Sequence, residues 1–321
     1  MKSGGNTNTK LILVHPYIQK QTSSNRLCLL AFVSIFTIAF LLPLLYTTDS
    51  TISSKTSSSV SSVVNSVTSS PPSSQLPTTA INALLHYASR SNDSYHMSHG
   101  EMKSISDVLR RCPPPCNLLV FGLTHETLLW KSLNHNGRTV YIEENRYYAA
   151  YFEEIHPEIE VFDVQYTTKA REARELVSAV KEAARNECRP VQNLLFSDCK
   201  LGLNDLPNHV YDVDWDVILV DGPRGDGGDV PGRMSSIFTA AVLARSKKIG
   251  GNPRTHVFVH DYYRDVERLC GDEFLCRENL VESNDMLAHY VLERMNKNST
   301  QFCCDRKKRS VSAIALSKTV G

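Results

Sequence analysis

Trp215-Asp-Val-Ile-Leu-Val-Asp-Gly-Pro-Arg224 sets four consecutive apolar residues, Val217–Val220, directly against an acid, a glycine and a proline. A short apolar run without alternation reads as a strand buried on both faces, as in a parallel sheet. The same arrangement recurs. Asn117–Phe121 runs into Gly122, Thr139–Ile142 into Glu143 and Glu144, and His256–Val259 into His260 and Asp261. In an open parallel α/β sheet, ligands sit outside the carboxyl ends of the strands. Gly122, Glu143, Asp221 and Asp261 are therefore expected to line one crevice.

The segments between these runs read as helices. Ser98–Arg111 places Met102, Ile105, Val108 and Leu109 on one face, with Ser98 and Glu101 forming a capping box, and Pro113–Pro115 stop it. Thr79–Arg90 reads as a helix before it. Leu128, Leu129 and Leu133 mark another, Thr168–Arg185 is amphipathic, and the alanine-rich stretch Ser235–Arg245 is a fifth. Ile159–Val164 is a further strand. Strand and helix in alternation predict an α/β, doubly wound, Rossmann-like domain over residues 79–300.

Gly122 allows a tight turn against a ligand or a neighbouring backbone. Glu143 or Glu144 can accept hydrogen bonds from ribose hydroxyls, the usual task of an acid at that strand end. The loop from Asp221 to Arg233 holds five glycines, and its Arg224 and Arg233 can grip a carboxylate such as a uronic acid. Asp221, His260 and Asp261 would meet if their strands are neighbours. They would then bind a divalent cation, supply a general base for a hydroxyl, or hydrogen-bond structurally. Two Asp-x-Asp triplets, Asp212–Asp214 and Asp214–Asp216, match a metal–sugar-nucleotide motif in letters only. They precede the Val217–Val220 strand and lie away from the crevice. No Gly-x-Ser-x-Gly elbow occurs.

Outside the domain, Leu27–Tyr46 carries no charged residue and is long enough to span a bilayer. Lys2, Lys10, Lys20 and Arg26 precede it, which puts residues 1–26 in the cytosol and the rest in a lumen. The run is too long for a cleaved signal peptide's core. Residues 47–78 are Ser/Thr-rich with Pro71, Pro72 and Pro77, and read as a disordered stem. This is the plan of a Golgi single-pass type II membrane protein. Asn92 and Asn298 head glycosylation sequons that such a topology would make usable. Cys112, Cys116, Cys188, Cys199, Cys270, Cys276, Cys303 and Cys304 form an even set that suits disulfides better than zinc, with connectivity open. A net charge of +1 gives no argument for nucleic acid, and residues 301–321 read as a basic tail.

Val120-Phe-Gly-Leu-Thr-His-Glu-Thr-Leu-Leu-Trp130, Arg138-Thr-Val-Tyr-Ile-Glu-Glu144, Trp215–Arg224, Pro231-Gly-Arg-Met234 and His256-Val-Phe-Val-His-Asp261 together resemble the plant family of glucuronoxylan 4-O-methyltransferases and irregular-xylem proteins. The resemblance implies an S-adenosylmethionine methyltransferase-like fold and a role in secondary-wall xylan. By position, the Gly122 loop would approach the methionine part of the cofactor and Glu143 or Glu144 would hold its ribose. Asp221 and Asp261 would face the 4-hydroxyl of a glucuronic acid side group. The methylating branch reads Gly-Leu-Gly where this chain has Gly122-Leu123-Thr124. If that position needs positive φ, threonine costs on the order of 1 kcal/mol or more. Two readings follow. One is a non-catalytic member that binds xylan or the xylan-synthesising proteins. The other is a polysaccharide O-methyltransferase in which Asp261 or His260 deprotonates the acceptor.

Overall fold

The computed structural model describes residues 76–91, 96–223 and 227–304. The expected anchor at 27–46, the stem up to residue 75, the sequon at Asn92 and the basic run from Arg306 lie outside them. Among the described residues no helix is long and apolar enough to cross a membrane.

Helices α1 (Thr78–Ala88) and α2 (His99–Arg111) lead into β1 (Asn117–Phe121), α3 (Thr127–Leu133), β2 (Arg138–Glu143), α4 (Arg146–Ile155) and β3 (Glu160–Asp163). The chain continues through α5 (Ala173–Glu182), α6 (Asn208–Asp212), β4 (Val217–Val220), α7 (Met234–Arg245), β5 (Arg254–Val259) and α8 (Asp265–Cys270). It ends in a hairpin of β6 (Leu280–Asn284) and β7 (Leu287–Glu293). The strands make one sheet in the order β3-β2-β1-β4-β5-β7-β6. The first five in that order are parallel, and β7 runs antiparallel to both β5 and β6. The order reverses between β1 and β4, where an open α/β sheet opens its crevice. This is the mixed α/β, Rossmann-like, methyltransferase-like arrangement that the sequence leads one to expect.

Both faces of the central strands are covered, which is why they show no polar alternation. On one face Leu119, Phe121, Ile218 and Val220 pack under α5 and α7. On the other, Leu118, Val120, Val217 and Leu219 pack under the helices of the amino-terminal half, meeting Met102, Ile105 and Trp130. Helix α7 is buried along its whole length. The predicted capping box of α2 is present, and it reaches further than a local cap. Ser98 N donates to Glu101 Oε2 at 2.6 Å, while Glu101 Oε1 accepts from Met286 N at 2.7 Å, across the sheet end in the β6–β7 turn.

The structure departs from expectation in three places. The single helix predicted over 168–185 is α5 flanked by short 3-10 turns at Ala170–Glu172 and Ala183–Arg185. The amides of Ala170 and Arg171 donate to Val230 O and Gly228 O of the loop after β4, so they cannot start an α-helix with a side-chain cap. Second, the eight cysteines make three disulfides, Cys112–Cys116, Cys188–Cys199 and Cys276–Cys303, and leave Cys270 and Cys304 as thiols. The Cys303 link ties residues 301–304, expected in the tail, to the folded body. Third, α4, α6, α8 and the β6–β7 hairpin complete the fold without having been predicted.

On β5 and β7, His256 Nδ1 and His289 Nε2 lie 2.9 Å apart, and His289 stacks on Phe258 with ring centroids at 4.2 Å. Burial first, then the neighbouring His256 and Arg111, hold the His289 pKa down to about 4. A histidine depressed in the fold contributes stability above its unfolded pKa of ~6.5, and that contribution is lost as pH falls towards the folded value. Urea unfolding from pH 7 to pH 4 should therefore show a loss of stability that is smaller in His289→Phe. Parallel pH profiles for the two proteins would contradict this.

Candidate crevice at the carboxyl ends of β1, β2, β4 and β5

Strand pairing sets Val220 beside Val259 and Phe121 beside Val220, so the residues after these strands meet. Gly122, at φ +103°, lies against the turn after β4. A Cβ there would sit 3.0 Å from Asp221 O and 3.1 Å from Gly222 Cα, and a Cβ on Gly222 would sit 2.7 Å from Gly122 Cα. The two glycines are needed because the backbones of the β1 and β4 loops touch. That contact accounts for Gly122 by packing, one of the two uses its sequence position allowed.

Asp221, His260 and Asp261 do converge. His260 Nδ1 is 2.9 Å from Asp221 Oδ1, and its Nε2 is 3.7 Å from Glu101 Oε1. Asp261 sits at φ +57° and holds Arg264 at 2.9 Å. Burial is the largest single influence on His260 and lowers its pKa. The Asp221 hydrogen bond and the charges of Asp221 and Asp261 together outweigh it, and the pKa is raised. The carboxylates on either side of the imidazole thus favour its charged form. Glu101 entered the sequence reading only as a helix cap, because nothing in its local sequence signals a partner at residue 260.

Arg233 is buried, and its guanidinium is taken up inside the protein. Nη2 pairs with Asp221 Oδ1 at 3.2 Å and Asp261 Oδ2 at 2.9 Å, and Nη1 donates to His260 O. It joins the ends of β4 and β5 and presents no open fork to a uronic acid. Glu267, buried in α8, has its pKa raised by burial, against the lowering charge of Arg233. Among the described residues Asp221 Oδ2 and Arg233 Nε have no hydrogen-bond partner. Arg224 lies outside the described residues.

On the β1–β2 side, Glu143 is buried. Its Oε2 accepts from Leu123 N at 2.9 Å and its Oε1 from Asn145 N at 3.1 Å. Glu144 is half-buried, and its charge reaches the Tyr166 hydroxyl, which hydrogen-bonds Ser236 Oγ at 2.9 Å. Thr124 is not in the left-handed region; the non-glycine residues that are, among those described, are Asp261, Cys276 and Asp285. The expected strain is absent because Thr124 sits in a turn closed by Thr127, whose Oγ1 accepts from Thr124 N and donates to Thr124 O. The Asp-x-Asp carboxylates are at the opposite end of the sheet, as their position before β4 requires. Asp214 accepts from Lys248 N, and Asp216 from Asn117 N and Lys247.

The pairing of Arg233 carries a testable cost. Removing one partner of a buried ion network leaves the others uncompensated, at about 3–5 kcal/mol. Arg233→Met should lose stability of that order in chemical denaturation, and Arg264→Met, at the half-exposed end of the network, much less. Equal, small losses would show that Arg233 does not hold the strand ends.

A family model described as IRX15/IRX15L/GXM matches residues 100–290. Protein IRX15-LIKE of Arabidopsis thaliana is 90% identical over 315 residues, covering 98% of this chain and 99% of the relative. Protein IRREGULAR XYLEM 15 of the same plant is 82% identical over 323 residues, covering 98% and 100%. Glucuronoxylan 4-O-methyltransferase 3, also from Arabidopsis thaliana, is 39% identical over 219 residues, or 68% of this chain and 71% of the relative. The chain belongs to the IRX15/IRX15L/GXM family.

Proposed function

We propose that this protein serves xylan biosynthesis in plant secondary walls, binding xylan or xylan-synthesising proteins without itself transferring sugar or methyl groups. One observation carries the non-catalytic part. Every backbone amide of the β1 loop from Gly122 to Thr124 is already bonded within the protein: Gly122 N to Ile142 O, Leu123 N to Glu143 Oε2, Thr124 N to Thr127 Oγ1. A methyltransferase-like site needs such donors for the carboxylate of S-adenosylmethionine, and an acid after β2 for its ribose. Here both oxygens of that acid, Glu143, hold backbone amides. The loop amides are thus not free for the cofactor's carboxylate in this arrangement, while Glu143 keeps acceptor capacity beyond its two amide bonds and Glu144 stands beside it as the other acid for a ribose. The near-full-length similarity to IRX15-LIKE and IRREGULAR XYLEM 15 supports the pathway.

A second reading is S-adenosylmethionine-dependent 4-O-methylation of glucuronic acid side groups on xylan. The convergence of Asp221, His260 and Asp261, and the similarity to glucuronoxylan 4-O-methyltransferase 3, favour it. Calorimetric titration of the full chain with S-adenosylmethionine and S-adenosylhomocysteine decides between the two. We expect no binding, and none in Thr124→Gly, since threonine causes no strain there. Micromolar binding by the wild type would overturn the non-catalytic reading.

The location belongs to the same proposal: Golgi membrane, anchored by residues 27–46, with the α/β domain in the lumen. The apolar run, the positive charges before it and the three disulfides support it. Asn298 is exposed, beside the turn in which Ser299 N donates to Asn296 O. In plant cells the protein should carry an N-glycan that endoglycosidase removes and Asn298→Gln reduces by one. A full chain without glycan at either sequon would count against a lumenal domain.

A further inference from the structure

Helix α4 is apolar on two sides. Ala149 and Phe152 are buried and Tyr148 is half-buried against the sheet, as an amphipathic helix of this fold requires. Tyr147, Tyr151 and Ile155 face water instead, at 82%, 56% and 48% exposure. They fall at i, i+4 and i+8, so they line up along the helix with about 6 Å of rise from one to the next. The other large apolar side chains in water, among them Tyr87, Phe196 and Ile249, come one to an element, which is ordinary. The fold does not employ the two tyrosines. Among the described residues neither phenol oxygen makes a hydrogen bond and neither ring meets another aromatic ring.

The surroundings narrow what covers this stripe. The charged side chains of α4 are Arg146, which pairs with Asp163, and the acids Glu153 and Glu154. Without a basic rim the helix is a poor match for an anionic lipid surface. Aromatic side chains bury ~150–250 Å² each, so the exposed parts of two tyrosines and an isoleucine supply about half of the roughly 800 Å² that each partner in a stable protein pair gives up. A single polysaccharide chain is narrow enough. In a β-linked xylose polymer every ring substituent is equatorial, so the flat sides of each unit carry C–H bonds while the hydroxyls point sideways into water. Such a side stacks on the electron-rich face of a tyrosine. The stripe also adjoins the crevice. Tyr147 lies four residues after Glu143, at the carboxyl end of β2, and α4 returns from there along the edge strand β3.

We propose that the Tyr147–Tyr151–Ile155 face of α4 is a stacking platform for an extended, uncharged chain of β-linked pyranose units. On the reading given under Proposed function, on which this rests, that chain is the xylan backbone. It lies along the helix with one sugar unit on each tyrosine ring and its next unit against Ile155, and it passes the edge of the crevice at Tyr147. Two rigid rings with few rotatable bonds make such contact at little cost in side-chain entropy.

The test is calorimetric titration of the full chain, in detergent, with xylohexaose. Tyr147→Ala and Tyr151→Ala should each weaken binding roughly tenfold, because each removes one aromatic face. Tyr147→Phe and Tyr151→Phe keep the face and should bind like the parent, as should Tyr87→Ala, an exposed tyrosine off the stripe. All these positions are exposed, so the variants should keep the parent's unfolding midpoint. Parent binding that the two alanine variants leave unchanged overturns the platform while the xylan reading stands, and gives the stripe to a protein or lipid surface. No binding by the parent overturns both the platform and the polysaccharide half of that reading. Phenylalanine variants as weak as the alanine variants overturn stacking in favour of hydrogen bonding by the hydroxyls. A parent dimer in sedimentation that either alanine variant dissociates makes the stripe an interface between two copies, and also overturns the proposal.

Discussion

One buried guanidinium organises the carboxyl end of this sheet. Arg233 sits just before α7 and reaches Asp221 after β4 and Asp261 after β5. Two carboxylates brought together by adjacent parallel strands would repel one another in a medium that screens little. With Arg233 between them the strands can end side by side, and His260 can be clamped between Asp221 and Glu101. The left-handed backbone of Asp261 is tolerated in the same network, where its carboxylate is held by both Arg233 and Arg264. The crevice floor is thus knit together by internal ion pairs, with Asp221 Oδ2 and Arg233 Nε left without a partner among the described residues.

The β1–β2 side follows the same principle with neutral donors. Glu143 takes two amides, Thr127 takes another, and Gly122 fits only because Gly222 lacks a side chain. This chain carries an acid after β2, Glu143, and an acid after β4, Asp221. Glu143 holds two backbone amides, and Asp221 holds Arg233 and His260 through Oδ1 while its Oδ2 has no partner among the described residues. The same residue types at the same strand ends can therefore serve a cofactor or serve the fold, and only their partners tell which.

That distinction marks where the sequence is readable. Strands β1, β2, β4 and β5 were legible because burial on both faces leaves an unbroken apolar run. The crevice residues followed from the strand ends alone. The β6–β7 hairpin was not legible: β6 is a mostly polar edge strand, and Leu287-Ala-His-Tyr-Val-Leu-Glu293 mixes types because antiparallel pairing and its histidines blur the alternation. The broken start of α5 depends on carbonyls some 60 residues away. The role of Arg233 could not be read either, since an arginine after a glycine-rich loop looks the same whether it faces a ligand or the interior.

The reach of Glu101 has a consequence for how the protein is made. Its cap on α2 is local, but its second oxygen waits for Met286, 185 residues later in the chain. Ser98 likewise waits for Asp285, 187 residues on. A chain synthesised from its amino terminus at about 5–20 residues per second exposes α2 for roughly 10 to 40 seconds before that partner emerges. During this interval the apolar face of α2 lacks Leu287 of β7, and its capping carboxylate lacks one of its donors, the Met286 amide. Long-range closure of this kind makes folding slow and leaves the nascent domain in need of shelter. The final hairpin is the latch that ends that exposure.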